Sequence, residues 1–597
     1  MTTYAAPIRD IRFVLENLCA LEDVSALPGL EEAAPDLVFA VLDEADKFAS
    51  GVLAPLNQQG DHQGSRLVDG AVRTPEGWRD AYASFAEGGW NGAVFDVEYG
   101  GMGLPWLVNA AIQEMMHAAN MAFALCPMLT QGAIEALVFN ASDDLKARYL
   151  PKMVSGEWTG TMNLTEAGAG SDLGAVRTRA ERSGDHYLIS GQKIFITYGD
   201  HDLTENIIHL VLARTPDAPP GVKGISLFAV PKMMAGENGT PGKPNDVACV
   251  SLEHKLGIHA SPTAVLAFGD HGGAVGYLVG EENRGLEYMF VMMNMARLVV
   301  GIQGLGVSER AYQQALQYAR ERIQGPPAGT DPKQRLPIFD HPDVRRMLMT
   351  MKAYTEAMRA VALTAARSID FAHRDTDAAR KAYHQGRADL LTPIVKGWLT
   401  EMSVELTSLA VQVHGGMGYV EETGVAQHFR DARITTIYEG TTAIQANDLV
   451  GRKIIRDKGK AVGVLLDEMR QLDSELATNA NAACAAMRGP LASSIDALAK
   501  VVDWLLGDAS RDPRLPAGAA CNVLKMAGIV IGGYQMARAA VSARGRLDAG
   551  DGDPRFLEAK IATATFYAEQ ILPQAGALLP IIVDGTSSIM ALQDDQF

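Results

Sequence analysis

The sequence predicts an α+β fold in which a β-rich segment separates two helical regions, and three observations lead to it. Apolar residues recur three and four positions apart from about residue 7 to 150 and again from 286 to 455, as in amphipathic helices. Between about 160 and 281, short apolar runs are bounded by Gly, Asp, Asn and Pro, as strands are. The 597 residues also exceed the ~250–300 that one hydrophobic core supports, so several domains are expected.

The first helical region is predicted from periodicity such as that of Ile11, Val14, Leu15 and Leu18. We divide it into an N-terminal extension (residues 1–35) and a helical N-domain (residues 36–159). A break is expected at residues 98–105, because three glycines and a proline cannot continue a helix there.

The middle region, residues 160–285, is predicted to be a β-barrel or sandwich, and we favour a β-barrel domain. Residues 186–191, 207–213 and 224–231 are short apolar runs of strand length. Each run is flanked by residues that are typical of turns. Strands therefore replace helices in this part of the chain.

The second helical region is predicted to form a helical-bundle C-domain over residues 286–456. Its strongest periodicity covers residues 298–323, where helix formers such as Ala, Gln, Glu and Arg dominate. Three prolines and two glycines then make a loop of residues 324–332. The Ala-rich remainder, residues 457–597, is predicted to be an extra C-terminal helical domain.

Composition excludes several classes of function. The net charge of -18 would repel nucleic-acid phosphates, so no nucleic-acid partner is expected. Five scattered cysteines without a C-x-x-C pair favour a reducing compartment and exclude a cysteine zinc site, and no metal site is predicted. The N-terminus lacks the apolar core of a secretory signal, and no apolar run reaches the ~18 residues of a membrane span. We expect a cytoplasmic protein without a membrane span.

Residues 164–172 form a glycine-containing segment that is suited to hold a ligand. Its two glycines let the backbone approach closely, and Thr165 and Ser171 supply hydroxyl groups. A dinucleotide-binding fingerprint is excluded, since Leu173 stands where its third glycine belongs. By itself, the segment is also typical of an ordinary polar turn.

Residues 191–197 read as a strand with an aromatic residue near its end. Because residues two apart on a strand point to the same face, Phe195 and Thr197 are expected to reach one ligand together. Taken alone, Phe195 is more typical of a sheet core than of a ligand site.

Two further segments end predicted helices. Arg322 and Gln324 follow the long helix, and an Arg fork suits a phosphate, although an exposed helix Arg is usually only solvated. Residues 412–419 read Q-V-H-G-G-M-G-Y, a glycine-rich turn that contains Gln412 and Gly416. His414 in this turn is expected to be a packing residue.

Residues 430–445 read R-D-A-R-I-T-T-I-Y-E-G-T-T-A-I-Q and place Glu439 beside a glycine. A lone Glu at such a position is usually a solvated residue at a helix start. A carboxylate at this position could instead serve as a general base.

Taken together and in this order, these segments resemble the motifs of the acyl-CoA dehydrogenase family. Residues 164–172 are similar to its T-E-P-G-A-G-S-D segment, with Ala167 in place of proline, and residues 191–197 to its G-x-K-x-[WF]-I-T strand. Residues 412–419 resemble its Q-x-x-G-G-x-G-[FY] turn, which in the family is contributed to FAD by the neighbouring subunit. Residues 430–445 match R-D-x-x-x-x-x-I-Y-E-G-T-x-x-I-Q, and Gly325 replaces the Phe of an E-R-x-x-F-G element.

The resemblance implies FAD as cofactor and a helical, β and helical domain order with an additional C-terminal domain. It makes Glu439 the catalytic base. The implied FAD-binding residues are Leu164, Thr165, Gly170, Ser171, Phe195, Thr197, Arg322, Gln324, Gln412, Gly416 and Thr441. The implied substrate-binding residues are Ser171, Arg297, Tyr438 and Gly440. A homodimer or homotetramer is implied as well.

The long C-terminal extension and residues 252–263 resemble the long-form bacterial branch of the family. This branch includes 3-(methylthio)propanoyl-CoA and broad-range fatty acyl-CoA dehydrogenases. The implied reaction is desaturation of an acyl-CoA to the trans-2-enoyl-CoA, with electron-transfer flavoprotein as acceptor. An acyl-CoA oxidase and a catalytically silent acyl-CoA-binding subunit are the alternatives.

Overall fold

The computed structural model describes residues 4–31, 33–236, 240–478 and 482–597. The chain divides into two compact units. The first, here the helical unit, comprises Met1–Asp46, Pro105–Ala118 and Val300–Phe597. The second, here the sheet unit, comprises Lys47–Leu104 and Ala119–Val299. Each unit is therefore assembled from separate stretches of the sequence.

Helices form most of the described chain. In chain order they are α1 (Ile8–Asn17), α2 (Leu21–Ser25), α3 (Pro35–Phe48), α4 (Ala54–Gln63), α5 (Trp78–Glu87), α6 (Trp106–Asn140), α7 (Asp143–Val154), α8 (Gly285–Glu321), α9 (Pro342–Arg374), α10 (Ala378–His414), α11 (Val425–Thr435), α12 (Thr442–Asn447), α13 (Lys460–Thr478), α14 (Ala482–Leu506), α15 (Arg514–Ala549), α16 (Pro554–Gln570) and α17 (Pro573–Val583). The predicted helix over residues 298–323 is confirmed as far as Glu321, where α8 ends.

Strands are concentrated between residues 158 and 278. In chain order they are β1 (Arg66–Val68), β2 (Ala71–Arg73), β3 (Trp158–Asn163), β4 (Arg179–Ser183), β5 (His186–Thr197), β6 (Asn206–Ala213), β7 (Ser226–Pro231), β8 (Met233–Ala235), β9 (Pro241–Pro244), β10 (Val247–Leu252), β11 (Thr263–Phe268) and β12 (Ala274–Leu278). The three predicted strands are confirmed as β5, β6 and β7, and β5 continues to Thr197.

Eight of these strands form one sheet in the order β10-β11-β5-β12-β7-β6-β3, with β4 also paired to β5. The β3–β6 pair is parallel and the other pairs of this sheet are antiparallel. The two end strands of this order, β10 and β3, are not paired with each other within the described residues. The predicted β-barrel domain is thus a half-barrel.

The sheet has a well-packed apolar core. Ile189, Val211, Phe228, Leu266 and Phe268 are each at most 1% exposed and form part of one cluster. All eight residues of β6 are buried, including the polar Asn206 and His209, as in a strand that is covered on both faces. The core fixes the sheet from which the loop at residues 164–172 leaves.

Helix α6 is broken at Asn120, where φ is −159° and ψ is 89°. The Asn120 side chain accepts a hydrogen bond from the Phe123 N–H at 3.0 Å, so it caps the second half of the helix. The division between the two units falls beside this break, between Ala118 and Ala119.

Helix α15 approaches α10 within the helical unit through glycine. A Cβ added at Gly528 would lie 2.1 Å from the Trp398 ring, which is 1% exposed. The two helices reach this distance because position 528 has no side chain. The C-terminal helices are therefore closely packed on α10.

Helix α1 is held by residues from the far end of the chain. Phe13 and Phe556 stack edge to face with ring centroids 5.9 Å apart, and Asp10 forms an ion pair with the buried Lys560. Lys560 also lies 3.0 Å from Glu356. Burial acts to raise the pKa of Asp10, but Lys560, Arg359 and Lys352 together hold that pKa below its ordinary value. The first helix and α16 thus share one ionic network.

A second buried ionic group joins α6, α8 and α9 in the helical unit. Arg359 Nη2 lies 2.7 Å from a Glu114 oxygen and 2.8 Å from a Glu309 oxygen. The Arg359 and Glu114 side chains are each 1% exposed, and that of Glu309 is 8% exposed. One guanidinium therefore neutralises carboxylates from two helices inside the protein.

Judged by helix length and composition alone, the expectation that no segment could span a membrane is wrong. Among the described residues, α6, α8, α15 and the segment Pro554–Val583 are long and apolar enough. Polar residues interrupt each of them, so a count of uninterrupted apolar runs misses them. The most apolar 18-residue stretch is 89% buried in α6 and 78% buried in α8, so packing within the protein covers most of the apolar surface of these two helices. The corresponding stretch is 61% buried in α15 and 33% buried in Pro554–Val583.

Candidate active site

The loop at residues 164–172 leaves β3 and is open on its glycine side. The Glu166 and Ala169 backbones exchange hydrogen bonds of 3.1 and 3.0 Å, which close a tight turn. A Cβ added at Gly168 or Gly170 would meet nothing within 4 Å. Gly170 and Ser171 are exposed. The loop therefore offers backbone and hydroxyl groups to a ligand that approaches from outside.

The buried Lys193 ties this loop to β5. Its ammonium donates to the Leu164 carbonyl at 3.0 Å and to Glu166 Oε1 at 2.8 Å. Burial lowers the pKa of Lys193 to about 8, against the opposite effect of Glu166. For Glu166, burial acts to raise the pKa, but Lys193 and hydrogen bonds from Thr178 and Arg177 hold it below its ordinary value. The ion pair fixes the start of the loop.

We expect Lys193→Met to loosen this loop. The change leaves Glu166 without its cation, but the Thr178 hydroxyl and two backbone N–H groups still bind the carboxylate. A loss of about 2 kcal/mol follows, less than for a fully stranded buried charge. Differential scanning fluorimetry would show a thermal midpoint lowered by roughly 5 °C. The exposed Lys243→Met is the control, and equal midpoints for both variants would contradict the assignment.

Phe195 is held in a conformation that is rare for a residue with a side chain. Its φ is +59°, and its side chain is 58% exposed. The pairing of β11 with β5 shifts register between Ala264 and Leu266, so that Ile194 and Phe195 of β5 face the single residue Val265, which indicates a β-bulge at Phe195. Regular alternation, from which we expected Phe195 and Thr197 to share a face, therefore does not apply here. An exposed, strained aromatic residue beside the 164–172 loop is nevertheless typical of a ligand site.

Glu439 lies in a left-handed turn of the helical unit, between α11 and α12. Its φ is +56° and that of Gly440 is +89°. The Thr441 side chain accepts a hydrogen bond from the Ile444 N–H at 3.4 Å and caps α12. Glu439 is half-buried. The turn formed by residues 438–441 thus presents a carboxylate from a backbone conformation that costs free energy.

Three side chains hold the 438–441 turn from inside the helical unit. Lys396 donates to the Gly440 carbonyl at 2.6 Å, and Gln445 donates to the Glu439 carbonyl at 3.0 Å. The Tyr438 hydroxyl donates to Gln303. Burial and the nearby Glu439 charge raise the pKa of Tyr438 well above its ordinary value, so the hydroxyl keeps its proton.

Arg322 and Gln324 lie just beyond α8 and are exposed. The Arg322 carbonyl accepts from the Ile338 N–H at 2.7 Å, and the Gln324 N–H donates to the Leu336 carbonyl at 3.3 Å. These backbone bonds fix the segment and leave its side chains free to face solvent or a ligand.

Gln412 and Gly416 lie at the end of α10 and are also exposed. His414 stacks on Tyr318 of α8 with ring centroids 4.3 Å apart and donates from Nδ1 to the Ala410 carbonyl at 2.7 Å. His414 is therefore a packing residue, as expected. It joins the C-terminal ends of α8 and α10, so Arg322, one turn after Tyr318, and Gln412 lie at neighbouring helix ends.

The structure brings the predicted site residues together in groups. Within the sheet unit, backbone and side-chain bonds join Leu164 and Thr165 to β5, which carries Phe195 and Thr197. Within the helical unit, residues 438–441 form one turn. Arg297 is 6% exposed on α8, and its predicted contact with substrate stays a prediction.

Sequence reasoning missed the residues that support these groups. Glu166, Lys193 and Gln445 stand inside the recognised motifs, but a motif does not reveal that they bind its backbone. Lys396 and Gln303 stand outside every motif and had no signal in the sequence.

Comparison with known families accounts for almost the whole chain. Residues 39–157, 161–271 and 283–454 match the N-terminal, middle and C-terminal domains of acyl-CoA dehydrogenases. Residues 465–593 match the domain described as acetyl-CoA dehydrogenase C-terminal like. The chain belongs to the acyl-CoA dehydrogenase family. It is a long form of this family of FAD-dependent oxidoreductases, with the additional C-terminal helical domain.

Two relatives extend over nearly the full length of this acyl-CoA dehydrogenase. The 3-methylmercaptopropionyl-CoA dehydrogenase of Ruegeria pomeroyi is 49% identical over 98% of this chain and 99% of its own. A butyryl-CoA dehydrogenase of Syntrophomonas wolfei is 37% identical over 98% of both chains. Among solved structures, the acyl-CoA dehydrogenase of Bacillus anthracis in complex with FAD has a TM-score of 0.73 at 21% identity, over 95% of this chain and 92% of its own. That similarity shows the fold.

The residues of the sheet unit fit the FAD cofactor of the family. The 164–172 loop has open space at both glycines, exposed donors at Gly170 and Ser171, and an exposed Phe195 beside it. An aromatic face and free backbone donors are what a flat, polar-edged ring system needs.

Proposed function

We propose that this acyl-CoA dehydrogenase desaturates its substrate to the trans-2-enoyl-CoA with Glu439 as the base that removes the α-proton. The observation that carries the proposal is the 438–441 turn. A non-glycine residue with φ of +56° persists only where surrounding contacts enforce it, and such residues cluster at functional sites. Lys396, Gln445 and Gln303 supply those contacts.

The chemistry needs a carboxylate and a hydrogen-bond donor at the thioester. An α-proton of a thioester is weakly acidic, so a positioned base must take it as charge develops on the thioester oxygen. The backbone N–H of Glu439 is the donor that we assign to this oxygen, which makes residue 439 serve twice. FAD, when bound, supplies the acceptor for the hydride that leaves the β-carbon.

For the substrate, we favour 3-(methylthio)propanoyl-CoA over a straight-chain fatty acyl-CoA. The support is the 49% identity with the 3-methylmercaptopropionyl-CoA dehydrogenase of Ruegeria pomeroyi along nearly the whole chain. The test is anaerobic titration of the purified protein with this thioester and with short to long acyl-CoAs. We expect the visible flavin absorbance to bleach at the lowest concentration with 3-(methylthio)propanoyl-CoA. Bleaching by straight-chain thioesters alone would overturn the choice.

Electron-transfer flavoprotein is the acceptor that we propose, which separates the dehydrogenase from the oxidase alternative. Reduced protein would be mixed with either oxidised electron-transfer flavoprotein or oxygen, and flavin reoxidation followed. We expect fast reoxidation by the flavoprotein and slow reoxidation by oxygen. The reverse order would indicate an oxidase, and a protein that retains FAD but is bleached by no thioester would indicate a silent acyl-CoA-binding subunit.

We propose that Arg322 and Gln324, with Gln412 and Gly416 at the neighbouring helix end, bind the phosphate side of FAD. Arg322→Ala removes a guanidinium that is exposed and ready to bind a phosphate. Loss of one charge-assisted hydrogen bond, about 1.5–3 kcal/mol, weakens FAD binding by roughly 10- to 100-fold. FAD content after dialysis, read from the visible spectrum, checks this. Arg346→Ala, another exposed arginine, is the control, and a fully yellow Arg322→Ala protein would remove Arg322 from the site.

Assembly as a homodimer or homotetramer is a further proposal, as is the cytoplasmic location. Multi-angle light scattering on the FAD-loaded protein would measure the assembly. We expect two or four copies, because the family resemblance assigns residues 412–419 to FAD of the neighbouring subunit. A monomer that retains FAD would contradict this arrangement.

A further inference from the structure

Lys396 is a buried cation beside the proposed base that belongs to none of the recognised motifs. It lies on α10, is 0% exposed, and its ammonium donates to the Gly440 carbonyl at 2.6 Å. A buried ammonium is costly unless it is well paired, so its position next to this turn requires a structural or functional reason.

The 438–441 turn must be stabilised by contacts from outside the turn. Glu439 and Gly440 both have positive φ. This conformation costs free energy at Glu439, because Glu439 carries a Cβ. The carbonyls of both residues accept from buried donors, Lys396 and Gln445, and Glu439 itself is half-buried. The two donors therefore fix two successive peptide planes directly at the proposed base.

The close contact between α10 and α12 makes this arrangement possible. A Cβ added at Gly397, the next residue on α10, would lie 3.3 Å from Gln445 Cβ and 2.5 Å from Leu524 Cδ2. The missing side chain at position 397 lets Gln445 and Lys396 reach the turn side by side. The Thr400 hydroxyl, which donates to the Lys396 carbonyl at 2.7 Å, adds a bond within this part of α10.

We infer that Lys396 is a positioning residue for the reaction, which holds the turn in the conformation that aims Glu439 at the α-carbon. It acts through the Gly440 carbonyl and does not touch the reacting atoms. The inference rests on the proposed role of Glu439. Without Lys396, the Gly440 carbonyl loses a charged donor, the turn relaxes, and the carboxylate moves from its productive position.

The test compares three substitutions of Lys396 in the FAD-loaded protein. Lys396→Met removes the donor, Lys396→Gln keeps a neutral donor, and Lys396→Arg keeps a charged one. Anaerobic stopped-flow mixing with 3-(methylthio)propanoyl-CoA measures the rate of flavin reduction, and equilibrium titration measures thioester binding. We expect Lys396→Met to reduce flavin roughly 100-fold more slowly, as a displacement of about 1 Å does, with thioester affinity changed less than about threefold. Lys396→Arg restores most of the rate.

A second readout isolates proton removal from flavin reduction. (Methylthio)acetyl-CoA carries sulfur at its β-position and has no hydride to lose there, but its α-hydrogens are acidic. Exchange of these hydrogens in D₂O, followed by mass spectrometry, reports on the base alone. We expect Lys396→Met to slow this exchange by the same roughly 100-fold factor.

Lys560→Met is the matched control. Lys560 lies on α16 of the helical unit, is also buried, and forms an ion pair with Glu356. This substitution should lower the thermal midpoint and leave the exchange rate per FAD unchanged. Normal rates of flavin reduction and of hydrogen exchange in Lys396→Met would overturn the inference. So would lowered rates that return to normal once they are expressed per folded, FAD-containing molecule. We expect Lys396→Gln to reduce flavin at a rate between those of Lys396→Met and the unchanged protein, because its amide is a neutral donor. If Lys396→Met is insoluble, a normal reduction rate in Lys396→Gln would overturn the inference. Failure of the proposed base would show separately, as turnover in Glu439→Gln.

Discussion

Glu439→Gln is expected to abolish turnover while the protein keeps its cofactor and binds its thioester. Glutamine preserves the size of the side chain and cannot accept the α-proton, so the loss is that of a general base. We expect a drop of about 10⁴-fold in the rate of flavin reduction, the upper end of such contributions. The measurement is anaerobic stopped-flow reduction by 3-(methylthio)propanoyl-CoA, with thioester binding measured separately.

The control for this variant is Glu405→Gln on α10. The Glu405 side chain is 58% exposed and lies 3.6 Å from Lys525, so its loss should leave reduction unchanged. Unchanged FAD content in both variants shows that neither substitution disturbs the fold. Substantial turnover in Glu439→Gln would remove Glu439 as the base.

Arg359→Met is expected to have the largest effect on stability. The guanidinium is 1% exposed and bonds Glu114 and Glu309 together, and burial already raises the pKa of Glu114 against the influence of Arg359. Removal of the shared cation strands two carboxylates inside the helical unit, at a cost of about 3–5 kcal/mol. The thermal midpoint should fall by roughly 10 °C.

Two further variants separate charge from packing in this group. Arg9→Met removes an ion pair with Asp553 whose side chains are 61% and 48% exposed, and it should lower the thermal midpoint far less than Arg359→Met. Addition of Glu114→Gln and Glu309→Gln to Arg359→Met removes the stranded charges and should recover part of the lost midpoint. Equal midpoints for Arg9→Met and Arg359→Met would contradict the role of the buried group.

Much of the fold was predictable because its signals are local. The apolar period along residues 298–323 depends on neighbours within a few turns, and it correctly predicted α8. The same holds for β6, whose buried run is continuous in sequence. The bulge at Phe195 was not predictable, since it depends on how β11 pairs with β5 and no glycine marks it.

The candidate site also has a part that was predictable from the sequence and a part that was not. The residues expected to contact ligand stand in motifs, so Glu439 and the 164–172 loop could be singled out. The residues that hold them could not: Gln303 bonds Tyr438 across 135 positions, and Lys396 bonds Gly440 across 44. Such contacts arise from helix packing, which leaves no trace in the spacing of residues.

The attachment of α1 has a consequence for the synthesis of the protein. Arg9 and its partner Asp553 are 544 positions apart, and Phe13 packs on Phe556. At about 5–20 residues per second, the ribosome needs roughly half a minute to two minutes to deliver these partners. Throughout that time Phe13 of the nascent chain lacks Phe556, the aromatic ring on which it finally packs. The helical unit therefore matures after translation is nearly complete, and its first helix is the segment on which a ribosome-bound chaperone would act longest.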